Sequence, residues 1–106
     1  MIHVVAEIRL RPGTLPGFLP EFTRLVPLVR AEDGCIEYSG AVDYPSGVGA
    51  QSPMRSDLVT VIEKWRDAAA LEAHGRAAHM DAYRARVKEF VRETMVYVLR
   101  PVGESG

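Results

Sequence analysis

Residues 2–10, Ile-His-Val-Val-Ala-Glu-Ile-Arg-Leu, set the beginning of the fold. Every even-numbered residue of this stretch is apolar, and polar residues fall only between them, a period of two that is typical of a strand with one buried face. Leu, Phe and Val residues then recur at helical spacing from Leu15 to Val29. The second pattern predicts an amphipathic helix that ends near Ala31.

The rest of the chain predicts the other half of a small α+β fold. We predict strands at residues 35–44, 58–65 and 95–100, helices at residues 68–74 and 79–90, and one long loop rich in Gly, Ser and Pro at residues 45–57. The order is βαββαβ with the second helix split. Two right-handed crossovers around a central hairpin favour a ferredoxin-like fold, an antiparallel sheet with helices on one side. Residues 1–106 are expected to form a single domain.

Size and charge exclude several classes of protein. With 106 residues and 11.7 kDa, the chain is too short for a dinucleotide-binding domain or an α/β barrel. The net charge of −1 gives no support for nucleic acid or a membrane as partner. Its one cysteine, Cys35, cannot form an intrachain disulfide. No apolar run is long enough for a membrane helix, and the N-terminus lacks a signal-peptide pattern, so we expect a cytoplasmic protein.

The predicted strands are apolar on both faces. Val5 lies opposite Val4, Ile62 lies opposite Val61, and residues 95–99 are all apolar or aromatic. Helices can cover only one face of the sheet, and the other face would leave an apolar patch larger than monomers usually expose. We therefore predict a homodimer in which two sheets pack face to face.

Two histidines are the first candidates for acid–base chemistry, because imidazole titrates near neutral pH. His74 and His79 are five residues apart, so their side chains converge only if the helix breaks between them, and Gly75 makes that break plausible. His79 would then begin the longer helix, where the positive end of the helix dipole favours a neutral imidazole. The alternative for either residue is a capping or buried histidine bonded to a backbone carbonyl.

Glu63 and Trp65 share one face of the third predicted strand. A carboxylate beside an indole on an apolar face suggests a pocket wall, in which the acid orients a histidine or accepts a hydrogen bond from a substrate hydroxyl. The alternative is an ion pair between Glu63 and Arg9 or Arg100. The sequence leaves two roles open for three tyrosines, which can donate phenolic hydrogen bonds to a ligand or simply pack in the core. They are Tyr38, Tyr83 and Tyr97. His74, His79 and Glu63 could in principle hold iron, but no recognised metal spacing is present.

Several short motifs occur along the chain in a characteristic order and spacing. They are Val5-Ala6-Glu7-Ile8-Arg9 with Arg11-Pro12-Gly13, Glu32-Asp33-Gly34-Cys35, Glu63-Lys64-Trp65, Leu71-Glu72-Ala73-His74 and Ala78-His79-Met80. Together they resemble the antibiotic biosynthesis monooxygenase family, in particular its quinol monooxygenase branch. The resemblance runs from Ile2 to about Pro101. It implies a dimeric α+β barrel and an enzyme that uses O₂ without metal, flavin or haem. Family members that oxidise polyketides use an Asn, and so does the haem-degrading branch of the fold, whereas this chain has none.

The resemblance implies roles for the candidate residues. His79 or His74 would take the phenolic proton of a quinol, Glu63 would orient the histidine, and aromatic side chains would line the pocket between helices and sheet. The lining would comprise Trp65, which lies in a matched motif, together with Tyr38, Tyr97 and Tyr83, which rest on the predicted geometry alone. The substrates would be O₂ and a small aromatic molecule. The alternative hypothesis is a non-catalytic dimer that binds a small aromatic molecule or serves in a stress response, and haem degradation is a third.

Overall fold

The computed structural model describes residues 1–103. It contains four strands and three helices in the order β1, α1, β2, β3, α2, α3, β4. The strands are β1 (Ile2–Leu10), β2 (Cys35–Ala41), β3 (Leu58–Trp65) and β4 (Val91–Leu99), and the helices are α1 (Leu15–Arg30), α2 (Ala68–Gly75) and α3 (Ala78–Val87).

The strands form one antiparallel sheet in the order β2-β3-β1-β4. This is the predicted ferredoxin-like arrangement. Residues paired across antiparallel strands share a face, so Tyr38, Glu63, Val4 and Val98 form one row on the face that the helices cover. Ile62, Val5 and Tyr97 form the next row, on the opposite face. The first face is called the inner face below, and the second the outer face.

Helix α1 packs on the inner face with three of the residues that its periodicity predicts, Phe18, Phe22 and Val29, and with Leu25 in place of the predicted Leu19 and Val26. Phe18, Phe22, Leu25 and Val29 are all buried, at spacings of three and four residues. Phe22 packs against Gly40 of β2, where an added Cβ would lie 2.5 Å from the phenyl ring. The split of the second helix is also confirmed. Asp67 caps α2 by accepting a hydrogen bond from the Ala70 N–H at 2.8 Å.

Three predicted boundaries are wrong. Strand β2 ends at Ala41 instead of residue 44, α3 ends at Val87 instead of residue 90, and β4 begins at Val91 instead of residue 95. The last two errors have one cause, since the apolar positions of Val87, Phe90 and Val91 continue the helical spacing although the chain has already turned. The Phe90 N–H bonds the Val87 carbonyl at 2.8 Å, which closes this turn.

Strand β4 lies at the edge of the sheet, and all but its first residue are exposed. Its inner-face residues Val96 and Val98 are 58% and 57% exposed. On the outer face Ile62, Met95, Tyr97 and Leu99 are also exposed. The chain by itself therefore leaves apolar surface exposed on the part of the outer face around Ile62 and along β4. No helix in the described part of the chain is long and apolar enough to cross a membrane.

Gly34, in the turn between α1 and β2, packs directly against α2. Its φ is +85°, and an added Cβ would lie 2.5 Å from the Ala70 Cβ. We expect Gly34→Ala to lower the free energy of unfolding by about 2–4 kcal/mol, because it adds a left-handed backbone cost to a steric clash. Urea denaturation measures the loss. Gly13→Ala is the matched control, since Gly13 has a φ of +80° and open space around it. Equal losses of unfolding free energy in the two variants would show that the contact between this turn and α2 adds no steric cost.

Candidate active site

A cavity of about 520 Å³ lies between the inner face of the sheet and helices α2 and α3. Most of its lining is apolar, including Val4, Ala6, Met80 and Val96. Its polar lining is confined to a few side chains: Tyr38, Glu63, His74, Tyr83, Arg84, Lys88 and Thr94. An apolar cavity with a few convergent polar groups is the usual form of a site for a small organic molecule.

The two histidines meet on one carboxylate, that of Glu32. Its Oε2 lies 2.9 Å from His74 Nδ1 and 2.6 Å from His79 Nε2. The break between α2 and α3 makes this convergence possible. All three side chains are largely shielded, with His74 and Glu32 more so than His79. Since a carboxylate only accepts hydrogen bonds, both ring nitrogens donate to it.

The turn that carries Glu32 is fastened to the beginning of α2. Asp33 accepts hydrogen bonds from the Arg66 guanidinium at 3.0 and 3.2 Å. The Arg66 N–H also donates to the Gly34 carbonyl at 2.8 Å. These contacts join the end of α1 to the end of β3, so they hold the carboxylate beside the helix that carries His74.

The hydrogen bond from Nδ1 leaves His74 Nε2 as the nitrogen that can accept a proton. Nε2 has no hydrogen-bond partner among residues 1–103, and His74 lines the cavity. His79 is not among the residues that line the cavity, and its Nε2 is held by Glu32. The sequence leaves open which histidine is the base, and the geometry favours His74. Neither imidazole bonds a backbone carbonyl within residues 1–103.

Glu63 does not orient a histidine as predicted. Its Oε1 accepts a hydrogen bond from the Trp65 indole N–H at 2.9 Å, and Glu32 contacts the histidines instead. Trp65 is fully buried behind the cavity and does not line it, although its ring lies 4.7 Å from that of His74. Residues two apart on a strand lie side by side on one face, so the Trp65 indole N–H reaches the Glu63 carboxyl group directly. The Trp65 ring then lies behind His74 instead of in the cavity wall. The predicted alternative, an ion pair of Glu63 with Arg9 or Arg100, is absent from residues 1–103, and Arg9 lies near Glu93.

Burial raises the pKa of Glu63 above its ordinary value near 4.5, against the smaller lowering by the Trp65 hydrogen bond and by His74. A carboxyl group whose pKa is raised in the folded state makes a contribution to stability that is complete below pH 4.5. This contribution is lost as the pH rises through the raised pKa. Glu63→Gln keeps an acceptor for the indole and has no such loss. We therefore expect the melting temperature of Glu63→Gln minus that of the unmodified protein to become larger as the pH rises from acid to neutral.

Thermal denaturation over this pH range measures the difference. Glu72→Gln, on the exposed side of α2, controls for the loss of one negative charge. A Glu63→Gln difference that does not change with pH would contradict the assignment of a destabilising buried charge at this position.

Two of the three candidate tyrosines line the cavity, and the third does not. Burial raises the pKa of Tyr38, with a further contribution from Glu63, and burial also raises the pKa of Tyr83. Both phenols therefore stay protonated at neutral pH and can donate hydrogen bonds. Tyr97 pairs with Val5 and projects from the outer face. It is wrong as a lining residue, because the alternation of β4 places it on the side away from the helices.

Sequence reasoning missed Glu32, which lies in the turn that ends α1. The pairing of β2 with β3 is the feature that indicates Glu32. Cys35 at the beginning of β2 pairs with Trp65 at the end of β3, so the residues just before β2 lie beside those just after β3. Within residues 1–103, no group of three or more His, Cys, Asp and Glu side chains is arranged to hold a metal ion.

Comparison with known proteins agrees with this geometry. Residues 1–86 match the family described as antibiotic biosynthesis monooxygenase. The chain belongs to this family. It is 43% identical over 103 residues to "Probable quinol monooxygenase YgiN" of Escherichia coli K12, a match that covers 95% of this chain and 98% of the relative.

Solved structures of similar fold support the assignment to the antibiotic biosynthesis monooxygenase family. The crystal structure of PA3566 from Pseudomonas aeruginosa is 27% identical with a TM-score of 0.79, and the match covers 96% of this chain and 94% of that one. The structure of Rv0793 from Mycobacterium tuberculosis is 26% identical with a TM-score of 0.79 and covers 99% and 98% of the two chains.

Proposed function

We propose that the protein is a monooxygenase that oxidises a quinol, or a related polycyclic phenol, with O₂ in the cavity on the inner face. The observation that carries the proposal is the His74–Glu32 pair, which offers one free imidazole nitrogen to a buried and mostly apolar cavity. The 43% identity to a protein named as a quinol monooxygenase supports the choice of substrate class.

The proposed reaction begins with loss of a phenolic proton. His74 Nε2 accepts the proton from the quinol hydroxyl, while Glu32 holds Nδ1–H and stabilises the imidazolium that forms. The resulting quinolate is rich in electrons and transfers one to O₂. Radical recombination then forms a carbon–oxygen bond, and the overall change converts one quinol and one O₂ into one hydroxyquinone and one water. The substrate supplies all the electrons, so this proposal needs no metal, flavin or haem.

The remaining polar groups of the cavity would stabilise the quinolate. The hydroxyl groups of Tyr38 and Tyr83 stay protonated and can donate to an oxyanion. Glu63, whose pKa burial raises, can donate to the second quinol oxygen when it is protonated, and Trp65 fixes its carboxyl group. The apolar walls at the buried end of the cavity would shield the radical pair from water.

Oxygen consumption with 2-methyl-1,4-naphthohydroquinone tests the proposal. Metal-free and cofactor-free protein is expected to accelerate O₂ uptake above the rate of autoxidation and to yield the hydroxylated quinone. A rate equal to autoxidation, together with binding of the quinone, would favour the alternative of a non-catalytic dimer that binds small aromatic molecules. A haem titration that gives no shift of the Soret band would remove the third hypothesis.

We also propose that the outer face is the contact surface of a homodimer. Ile62, Val5 and Tyr97 form a continuous apolar row across three strands, and Met95 and Leu99 extend it along β4. A second copy of the same sheet presents a patch of the same chemistry, which is what a two-fold interface requires. Location in the cytoplasm is likewise a proposal and rests on the sequence alone.

A further inference from the structure

The cavity carries positive charge at one side that the proposed chemistry does not use. Arg84 and Lys88 both line it, one helical turn apart, and both are exposed at their ends. In the sequence, Arg84, Lys88 and Arg92 are spaced four residues apart and are interleaved with Glu89 and Glu93, a pattern typical of a solvated helix face. Arg92 lies outside this cavity and lines a separate small pocket with Arg9. Of these three basic residues, Arg84 and Lys88 therefore face the cavity.

Lys88 is the charge without a partner. The Arg84 guanidinium donates to the Gly75 carbonyl from two nitrogens at 3.2 Å and to Asp81 at 3.2 Å, so its charge is partly balanced and its position is fixed. Lys88 forms no ion pair in the part of the chain that the structure describes. Its backbone is held in place, because Arg11 donates to the carbonyls of Lys88 and Glu89 at 3.3 and 2.7 Å.

The charges in the cavity are arranged along its length. His74 and Glu63 are buried, whereas Lys88 lies at the exposed end of α3, about 6 Å along the helix axis beyond Arg84. Among residues 1–103, Glu63 is the only carboxyl group that lines the cavity. A flat molecule with its hydroxyl group at His74 would thus present its far end to an unpaired ammonium group.

We propose that Lys88, assisted by Arg84, binds an anionic substituent of the substrate. This inference rests on the proposed function, and it narrows the substrate to phenols or quinols with a carboxylate or similar acid group remote from the reacting hydroxyl. A carboxylate here gains an ion pair and, close to Arg84, charge-assisted hydrogen bonds. Lys88 is accordingly a specificity-determining residue and takes no part in the proton transfer.

Binding of 6-hydroxy-2-naphthoate and of its methyl ester, measured by isothermal titration calorimetry, tests this inference without any oxidation. The two ligands share the phenol and the ring system and differ in charge. The unmodified protein is expected to bind the acid about fivefold more tightly than the ester, the effect of a partly exposed ion pair. Lys88→Gln should lose most of this preference and keep only the contribution of Arg84, while Lys88→Glu should reverse the preference.

Arg92→Gln is the matched control, since it removes the same charge four residues away, outside the cavity. It should keep the preference for the acid. Failure of both ligands to bind, equal binding of the two by the unmodified protein, or an undiminished preference in Lys88→Gln would each overturn the inference. The proposed function fails separately: a preference for the acid without quinol turnover contradicts only the oxidation, and turnover without the preference contradicts only the role of Lys88.

Discussion

Replacement of His74 by glutamine is expected to lower the rate of quinol oxidation by about a hundredfold or more, the usual contribution of a positioned general base. Glutamine can still contact Glu32, so the turn and α2 should remain folded, but it cannot accept the phenolic proton. Glu32→Gln should lower the rate by about tenfold or more, because the imidazole loses the carboxylate that fixes its tautomer. Oxygen consumption, corrected for autoxidation, measures both losses.

His79→Gln is the control for this pair. His79 shares the Glu32 oxygen but does not line the cavity, so we expect a smaller loss than in His74→Gln. A second measurement separates a base from a merely structural residue. As the assay pH approaches the pKa of the quinol itself, the ionised substrate needs no base, and the deficit of His74→Gln should shrink. Full activity in His74→Gln, or a deficit that stays constant with pH, would contradict the assignment.

The sequence predicts the parts of this fold whose patterns come from one-sided burial. Strands β1 and β3 lie where the strand patterns place them, and helix α1 lies where helical spacing places it. Each of these elements buries one face in the core between the sheet and the helices. Strand β4 breaks this rule, since it lies at the sheet edge and is exposed on both faces. Without a buried face it has no alternation to set its beginning, and the apolar residues Phe90 and Val91 extend the helical pattern instead.

The candidate site was harder to predict because it depends on contacts between distant parts of the chain. His74 is 42 residues from Glu32, and a charged residue in a turn normally faces solvent. Glu63 and Trp65, in contrast, are two residues apart and were recognised as neighbours, although not as partners of each other. Local sequence identified most of the groups in the cavity, and the antiparallel register of β2 and β3 determined which carboxylate reaches the histidines.

The dimer proposal predicts a large change in mass when a charge is placed on the outer face. Tyr97→Glu adds a carboxylate at the β4 end of the apolar row, beside Val5 and between Met95 and Leu99, and two-fold symmetry places a second one in the same interface. Burying an unpaired charge costs several kcal/mol, so the dimer dissociation constant should rise by a factor on the order of a thousand. Sedimentation equilibrium should then give the 11.7 kDa monomer for the variant and twice that mass for the unmodified protein.

Leu28→Glu is the control for Tyr97→Glu, because Leu28 is similarly exposed, at 49% against 43%, but lies on α1 at the other side of the molecule. It should sediment as a dimer. Unmodified protein that sediments as a monomer would contradict the proposal, and so would dissociation of both variants, which would indicate general unfolding rather than a defined interface.

The affinity of the Tyr97→Glu monomer for the quinol shows whether the dimer contact also builds the binding site. Val96, the neighbour of Tyr97 in β4, lines the cavity on the inner face, whereas Tyr97 lies on the outer face. A monomer that keeps its affinity for the quinol would show that the outer face joins the subunits without building the binding site.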